Sequence, residues 1–88
     1  LSNTSAETRV VSFLLSWSAR QARRRLSQDA LRLTMTREDL ANYLGQALET
    51  LSRTLHKLQD DGLLTVSGRQ ITLHDLPKLN ARLQHQCS

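Results

Sequence analysis

One glycine between two short leucine-patterned segments constrains this chain more than any other feature. Thr36-Arg37-Glu38-Asp39 fits a capping box, with Thr36 as N-cap and Asp39 as the returning carboxylate. The helix it opens is expected to run to about Leu44 and to bury Leu40, Ala41 and Leu44. Gly45 then stops it, because glycine alone enters the left-handed conformation past a helix end at negligible steric cost. After Gln46-Ala47 a second helix begins, carrying Leu48, Leu51, Leu55 and Leu58 at spacings of three and four, and Asp60-Asp61-Gly62 ends it. Two short helices joined by a glycine-bearing turn make a helix-turn-helix, predicted over 37–60.

The flanks give that unit its setting. Upstream, Val10, Val11, Phe13, Leu14, Leu15 and Trp17 recur at helical spacing, predicting a helix over 6–21 capped by Thr4 or Ser5. Arg20, Arg23, Arg24 and Arg25 gather at its C-terminal end, where the helix dipole favours positive charge; they read as a solvated helix end or as a phosphate clamp. Leu31 to Met35 alternates apolar and polar residues and is a candidate strand. Downstream, the β-prone runs Leu63–Val66 and Gln70–Leu73 flank Ser67-Gly68-Arg69 and are expected to pair as a hairpin. Asp75 then caps a closing helix, with Pro77 in its first turn and Leu76, Leu79 and Leu83 buried. The fold class predicted is mainly α with a small β-hairpin, a winged helix-turn-helix: linker 1–5, domain 6–83 with its wing at 63–73, and tail 84–88.

Eighty-eight residues form one modest core, and a leucine-rich chain with one Trp, one Tyr and one Phe favours helices over a β-sandwich. The formal net charge of +4 and pI near 10.2 make polyanions the natural partners. The lone Cys87 fits a reducing, cytoplasmic setting, and no stretch is long and apolar enough for a membrane span. Since the chain starts at Leu1 rather than Met, it is read as part of a larger protein with another domain before it.

The polar side of the Leu48–Asp60 helix carries Glu49, Ser52, Arg53, His56 and Lys57 opposite the leucines. Arginine makes a bidentate pair with guanine in the major groove and glutamate accepts from the cytosine amino group, so Glu49, Ser52 and Arg53 are the candidates for base readout. Thr36, Arg37, Thr50, Lys57 and the wing residues Ser67 and Arg69 are candidates for phosphate contacts. Glu49 and Arg53 also stand four residues apart and suit a plain surface ion pair; Thr36 equally suits a cap alone, and Lys57 a solvated side chain.

The stretch LRLTMTREDLANYLGQALETLSRTLHKLQDDGLL, followed by VSGRQITLHDLPKL, resembles the C-terminal domain of Crp/Fnr-family regulators, particularly the Fnr-like branch. The likeness covers roughly residues 6–83 and is most specific at Glu49-Thr50-Leu51-Ser52-Arg53. It implies that the E-x-x-S-R residues Glu49, Ser52 and Arg53 contact bases of a TTGAT half-site in double-stranded DNA. It further implies an intact homodimer on an inverted-repeat operator, held by a long helix and carrying a sensory β-barrel, with contact to RNA polymerase as a further expectation. Any effector would bind that sensory domain, so no cofactor is expected here, and the isolated domain is expected to be a monomer. Two positions depart from the family pattern: Ala47 replaces the usual Thr or Ser cap of the recognition helix, and Gln46 replaces an apolar turn residue.

No enzyme is expected. His56, His74 and His85 are scattered, none beside a serine or cysteine in a nucleophile motif, and there is no glycine-rich phosphate loop. His85 and Cys87 are two donors on an expected tail, too few for a metal site. The alternative function is a winged helix that docks on a protein partner and has only non-specific DNA affinity.

Overall fold

A computed structural model describes residues 5–24 and 30–87, with side chains to residue 83. Seven elements follow in order: α1 (Ala6–Arg23), β1 (Ala30–Arg32), α2 (Arg37–Tyr43), α3 (Leu48–Asp60), β2 (Leu64–Ser67), β3 (Gln70–Leu73) and α4 (Leu76–Cys87). Thr4 and Arg25, named above as a cap and as part of the arginine run, lie outside the described residues, as do the side chains of His85 and Cys87.

Three of the four described helices start where a side-chain cap dictates. Ser5 accepts the Thr8 N–H at 3.1 Å, Thr36 accepts the Asp39 N–H at 3.1 Å, and the Asp75 carboxylate accepts the Lys78 N–H at 3.1 Å. The capping box is half realised: Thr36 caps, while Asp39 makes no return bond to the Thr36 N–H. α3 begins at Ala47 without a side-chain cap, as its methyl group requires.

Helices α2 and α3 end in the same way. Gly45 donates to the Asn42 carbonyl and Gln46 to Ala41; Gly62 donates to Gln59 and Leu63 to Leu58. Both are Schellman motifs, with the glycines at φ 70° and 76°. The residue after the glycine folds back onto the helix and is expected to be apolar. At the end of α3 that residue is Leu63, 3% exposed. At the end of α2 it is Gln46, whose amide nitrogen and oxygen are both buried without a hydrogen-bond partner. The polar side chain of Gln46 thus stands at the position where this motif commonly seats an apolar residue.

The sheet has one strand more than the predicted hairpin. Its order is β1-β3-β2, antiparallel throughout, with Leu31 opposite Ile71 and Val66 opposite the same residue on the other side. β1 is shorter than the alternation of 31–35 suggests. Its ladder ends at Arg32↔Gln70 because β3 ends there, and Leu33 adds a single bond to the Arg69 carbonyl at 2.7 Å in the hairpin turn. β2 and β3 are joined by the two residues Gly68-Arg69, with Gly68 at φ 60°, a conformation that suits glycine in tight hairpins.

One core gathers Val10, Val11 and Leu14 of α1, Leu40 and Ala41 of α2, Leu51, Leu55 and Leu58 of α3, Leu31, Leu64, Ile71 and Leu73 of the sheet, and Leu79 of α4. Leu44, Leu76 and Leu83 are only partly buried against it. Leu48 departs from expectation: it is 44% exposed. As the first residue of α3 it lies beyond the end of the packed stripe. α4 continues through Cys87, so residues 84–87 are helical in backbone where the sequence suggested a tail.

The Gln46 side chain generates a prediction. Gln46→Leu removes two buried unpaired polar groups at a seat that favours an apolar residue, and is expected to stabilise the domain by about 1–3 kcal/mol. Thermal unfolding followed by circular dichroism should show a rise of roughly 4–8 °C per kcal/mol for a domain of this size; an unchanged or lower midpoint would contradict the assignment.

Candidate nucleic-acid interface

The period of α3 divides its residues between two tasks. At 3.6 residues per turn, Leu51, Thr54, Leu55 and Leu58 share the inner face, and all four are buried. Glu49, Arg53, His56 and Asp60 point the opposite way and are exposed. Ser52 and Gln59 flank that face on the side of the wing, and Thr50 and Lys57 flank it on the side of α1.

Within the outward face, the Arg53 guanidinium bonds the Glu49 carboxylate across one turn. Both side chains are about three-quarters exposed, at 75% and 77%. An exposed i,i+4 pair stabilises by about 0.3–0.5 kcal/mol, whereas a bidentate arginine–base contact discriminates by about 1–3 kcal/mol. The pair therefore costs little to break, and both side chains are free to exchange it for a stronger partner.

The wing is tied to this helix. Gln59 of α3 accepts the Val66 N–H at 2.8 Å, which pairs an otherwise open amide of the edge strand β2. Arg37, at the start of α2, donates to the Gly68 carbonyl at 2.6 Å and so holds the hairpin tip. Partial burial pulls the Arg37 guanidinium below its ordinary pKa, though arginine stays charged at any neutral pH. Between these tethers lies a cleft of about 270 Å³ lined by Arg37, Ser52, Leu55, His56, Gln59 and Val66.

On the opposite flank, Lys57 stands 3.6 Å from Glu7 of α1. Glu7 also receives Arg82 of α4 at 3.1 Å, and Arg82 bonds Asp61 at the end of α3. The hydrogen bond to Asp61, with a second to Glu7, holds the Arg82 pKa above its usual value against the cost of burial. Arg9 of α1 donates to the carbonyls of Leu44 and Gly45, both at 3.2 Å, bracing the helix-turn-helix turn.

The structure thus brings Glu49, Ser52 and Arg53 onto adjoining faces of one exposed helix, with Arg37, Ser67 and Arg69 at or beside the wing that borders it. Thr36 is exposed and acts as a cap, Thr50 is half-buried at the α1 flank, and Lys57 leans toward Glu7. Gln59 escaped the sequence reading because its partner is a backbone amide, which no residue pattern announces. His56 was visible on the polar face, yet only the wing's position shows that it borders a cleft.

A helix-turn-helix with an exposed polar second helix and a sheet folded beside it is the winged-helix class of DNA-binding domain. Residues 8–82 match the family model described as the Crp-like helix-turn-helix domain. The chain is 46% identical over 79 residues to the anaerobic regulatory protein of Pasteurella multocida, which covers 90% of this chain and 29% of that protein. It is 44% identical over 85 residues to the fumarate and nitrate reduction regulatory protein of Salmonella typhimurium, covering 97% of this chain and 34% of that one. The structure of FixK2 from Bradyrhizobium japonicum superposes with a TM-score of 0.78 at 38% identity, over 92% of this chain and 39% of that chain. The chain belongs to the Crp-like helix-turn-helix family and is the DNA-binding domain of a Crp/Fnr-type transcription regulator. It spans about a third of the length of these relatives.

The Arg37 tether predicts a local effect. Arg37→Ala is expected to cost about 1 kcal/mol in global stability, as for a typical hydrogen bond, and to speed amide exchange in β2 and β3 well before it does so in α3. Hydrogen exchange read by NMR checks this, and uniform acceleration in all elements would speak against a local tether.

Proposed function

We propose that this domain binds double-stranded DNA sequence-specifically, with α3 in the major groove of a TTGAT-like half-site. In this reading Glu49, Ser52 and Arg53 meet base edges, and Thr36, Arg37, Thr50, Lys57, Ser67 and Arg69 meet the phosphate backbone. The observation that carries it is the exposed, outward set on α3, where the only bond restraining the Glu49 and Arg53 side chains among the described residues is their own weak pair.

The backbone set is unequal. The Thr36 hydroxyl accepts its capping bond and keeps its own proton free to donate to a phosphate. Arg37 uses one N–H on Gly68 and has four more to offer. Lys57 shares its charge with Glu7, so it contributes least. Positive groups at the wing and at α2 position the helix without reading sequence.

The intact regulator would act in the cytoplasm as a homodimer on an inverted repeat, with its effector bound to a sensory domain and with contact to RNA polymerase at promoters. Its Fnr-like character rests on the similarity to the anaerobic regulatory protein and the fumarate and nitrate reduction regulatory protein named above.

Fluorescence anisotropy with a duplex carrying TTGAT-N4-ATCAA and a scrambled duplex of the same composition tests the assignment. The matched duplex should bind more tightly, by roughly 1–3 kcal/mol per base pair lost, and Arg53→Ala should erase most of that preference. Equal binding to both duplexes, lost together as salt rises, would mean a merely basic surface and would favour a protein-docking role.

A further inference from the structure

The cleft between α3 and the wing holds two ionisable side chains, Arg37 and His56, and no carboxylate lines it. Ser52 and Gln59 supply its neutral polar groups, and Gln59 is committed through its carbonyl oxygen to Val66. Arg37 is committed through one nitrogen to Gly68. His56 is exposed and has no hydrogen bond or ion pair among the described residues. It lies one turn beyond Ser52 toward the C-terminal end of α3, so a nucleic-acid strand that follows the helix past Ser52 next meets His56.

The charged groups around His56 are few. α2 contributes Arg37; α3 itself contributes Arg53 three residues before and Asp60 four residues after, with Lys57 adjacent; β2 has no ionisable side chain, and the hairpin turn adds Arg69. Arg53 is already paired with Glu49 and Lys57 with Glu7. The walls of the cleft are therefore open to one more anion, and in a groove-bound helix the anion at hand is a phosphodiester.

We propose that His56 and Arg37 form a backbone-phosphate seat that makes the affinity of this domain for DNA depend on pH. The inference rests on α3 entering the major groove as described above, but it concerns the backbone and not the bases. A neutral imidazole donates one hydrogen bond to a phosphate oxygen, while the imidazolium adds a full charge. A bound phosphate favours the charged form, so binding at this seat is coupled to proton uptake and strengthens as the pH falls.

Anisotropy titrations of the 88-residue chain with the matched and scrambled duplexes, at fixed salt from about pH 8 to about pH 5.5, give the readout. The wild type should tighten about fivefold toward the acid end on both duplexes, within the tenfold set by a one-unit pKa change. His56→Gln should flatten that profile, and His74→Gln, which removes the exposed wing histidine bonded to Thr65, should leave it intact. At the acid end the logarithmic salt slope of the wild type should exceed that of His56→Gln by about 0.9, the equivalent of one phosphate. Parallel pH profiles in the wild type and His56→Gln, or loss of the profile in His74→Gln alone, would overturn the proposal. Loss of the matched-over-scrambled preference with the His56-dependent tightening retained would instead sink the base assignment and leave this one standing.

Discussion

The packing of one face of α3 governs everything else in this domain. Leu51, Leu55 and Leu58 are at most 4% exposed, and α1, α2 and β2 all pack against the helix that carries them. Each such leucine contributes on the order of 1.5–3 kcal/mol by leaving water, far more than any exposed ion pair on the surface. That burial orients α3 about its own axis, and the orientation aims Glu49 and Arg53 outward and Ser52 toward the wing. The exposed polar face is thus a by-product of core formation, since a rotation that moved Arg53 would also expose a leucine.

Polar contacts then set the neighbours of that face. Gln59 and Arg37 each reach a backbone group of the wing, one at the edge strand and one at the hairpin tip. Arg9 braces the turn between α2 and α3 through two carbonyls. Glu7, Arg82, Asp61 and Lys57 link α1, α4 and α3 on the far flank. None of these is strong singly, because they are wholly or partly solvated. Their effect is positional: they decide where the wing and the helix ends sit relative to α3.

The helix-turn-helix turn joins the two kinds of constraint. Its two Schellman ends are built alike, yet one accepts Leu63 and the other Gln46. With Ala47 leaving the first turn of α3 uncapped, this turn is polar where burial favours apolar and apolar where capping favours polar. A missing cap and a buried unpaired amide each cost stability, so this turn, and with it the seating of α3, is weaker than a Ser or Thr at 47 and an apolar residue at 46 would make it.

Local chemistry made much of this legible in advance. The periodicity of Leu51, Leu55 and Leu58, the Thr36 cap, and the glycines at 45, 62 and 68 specify helices, stops and a hairpin through interactions only a few residues long. Glu49, Ser52 and Arg53 were nominated on the same basis, as residues opposite an apolar stripe. Partners distant in sequence are not legible there: the pairing of the candidate strand at 31–35 with β3, the Arg37–Gly68 and Gln59–Val66 tethers, Lys57 drawn to Glu7, the exposure of Leu48 and the buried amide of Gln46. Sequence by itself determined which face of each element is apolar and where each element ends, because those follow from short-range sterics and hydrogen bonding. Tertiary structure alone decided which polar groups meet, because a backbone carbonyl thirty residues away carries no signature in the residue that finds it.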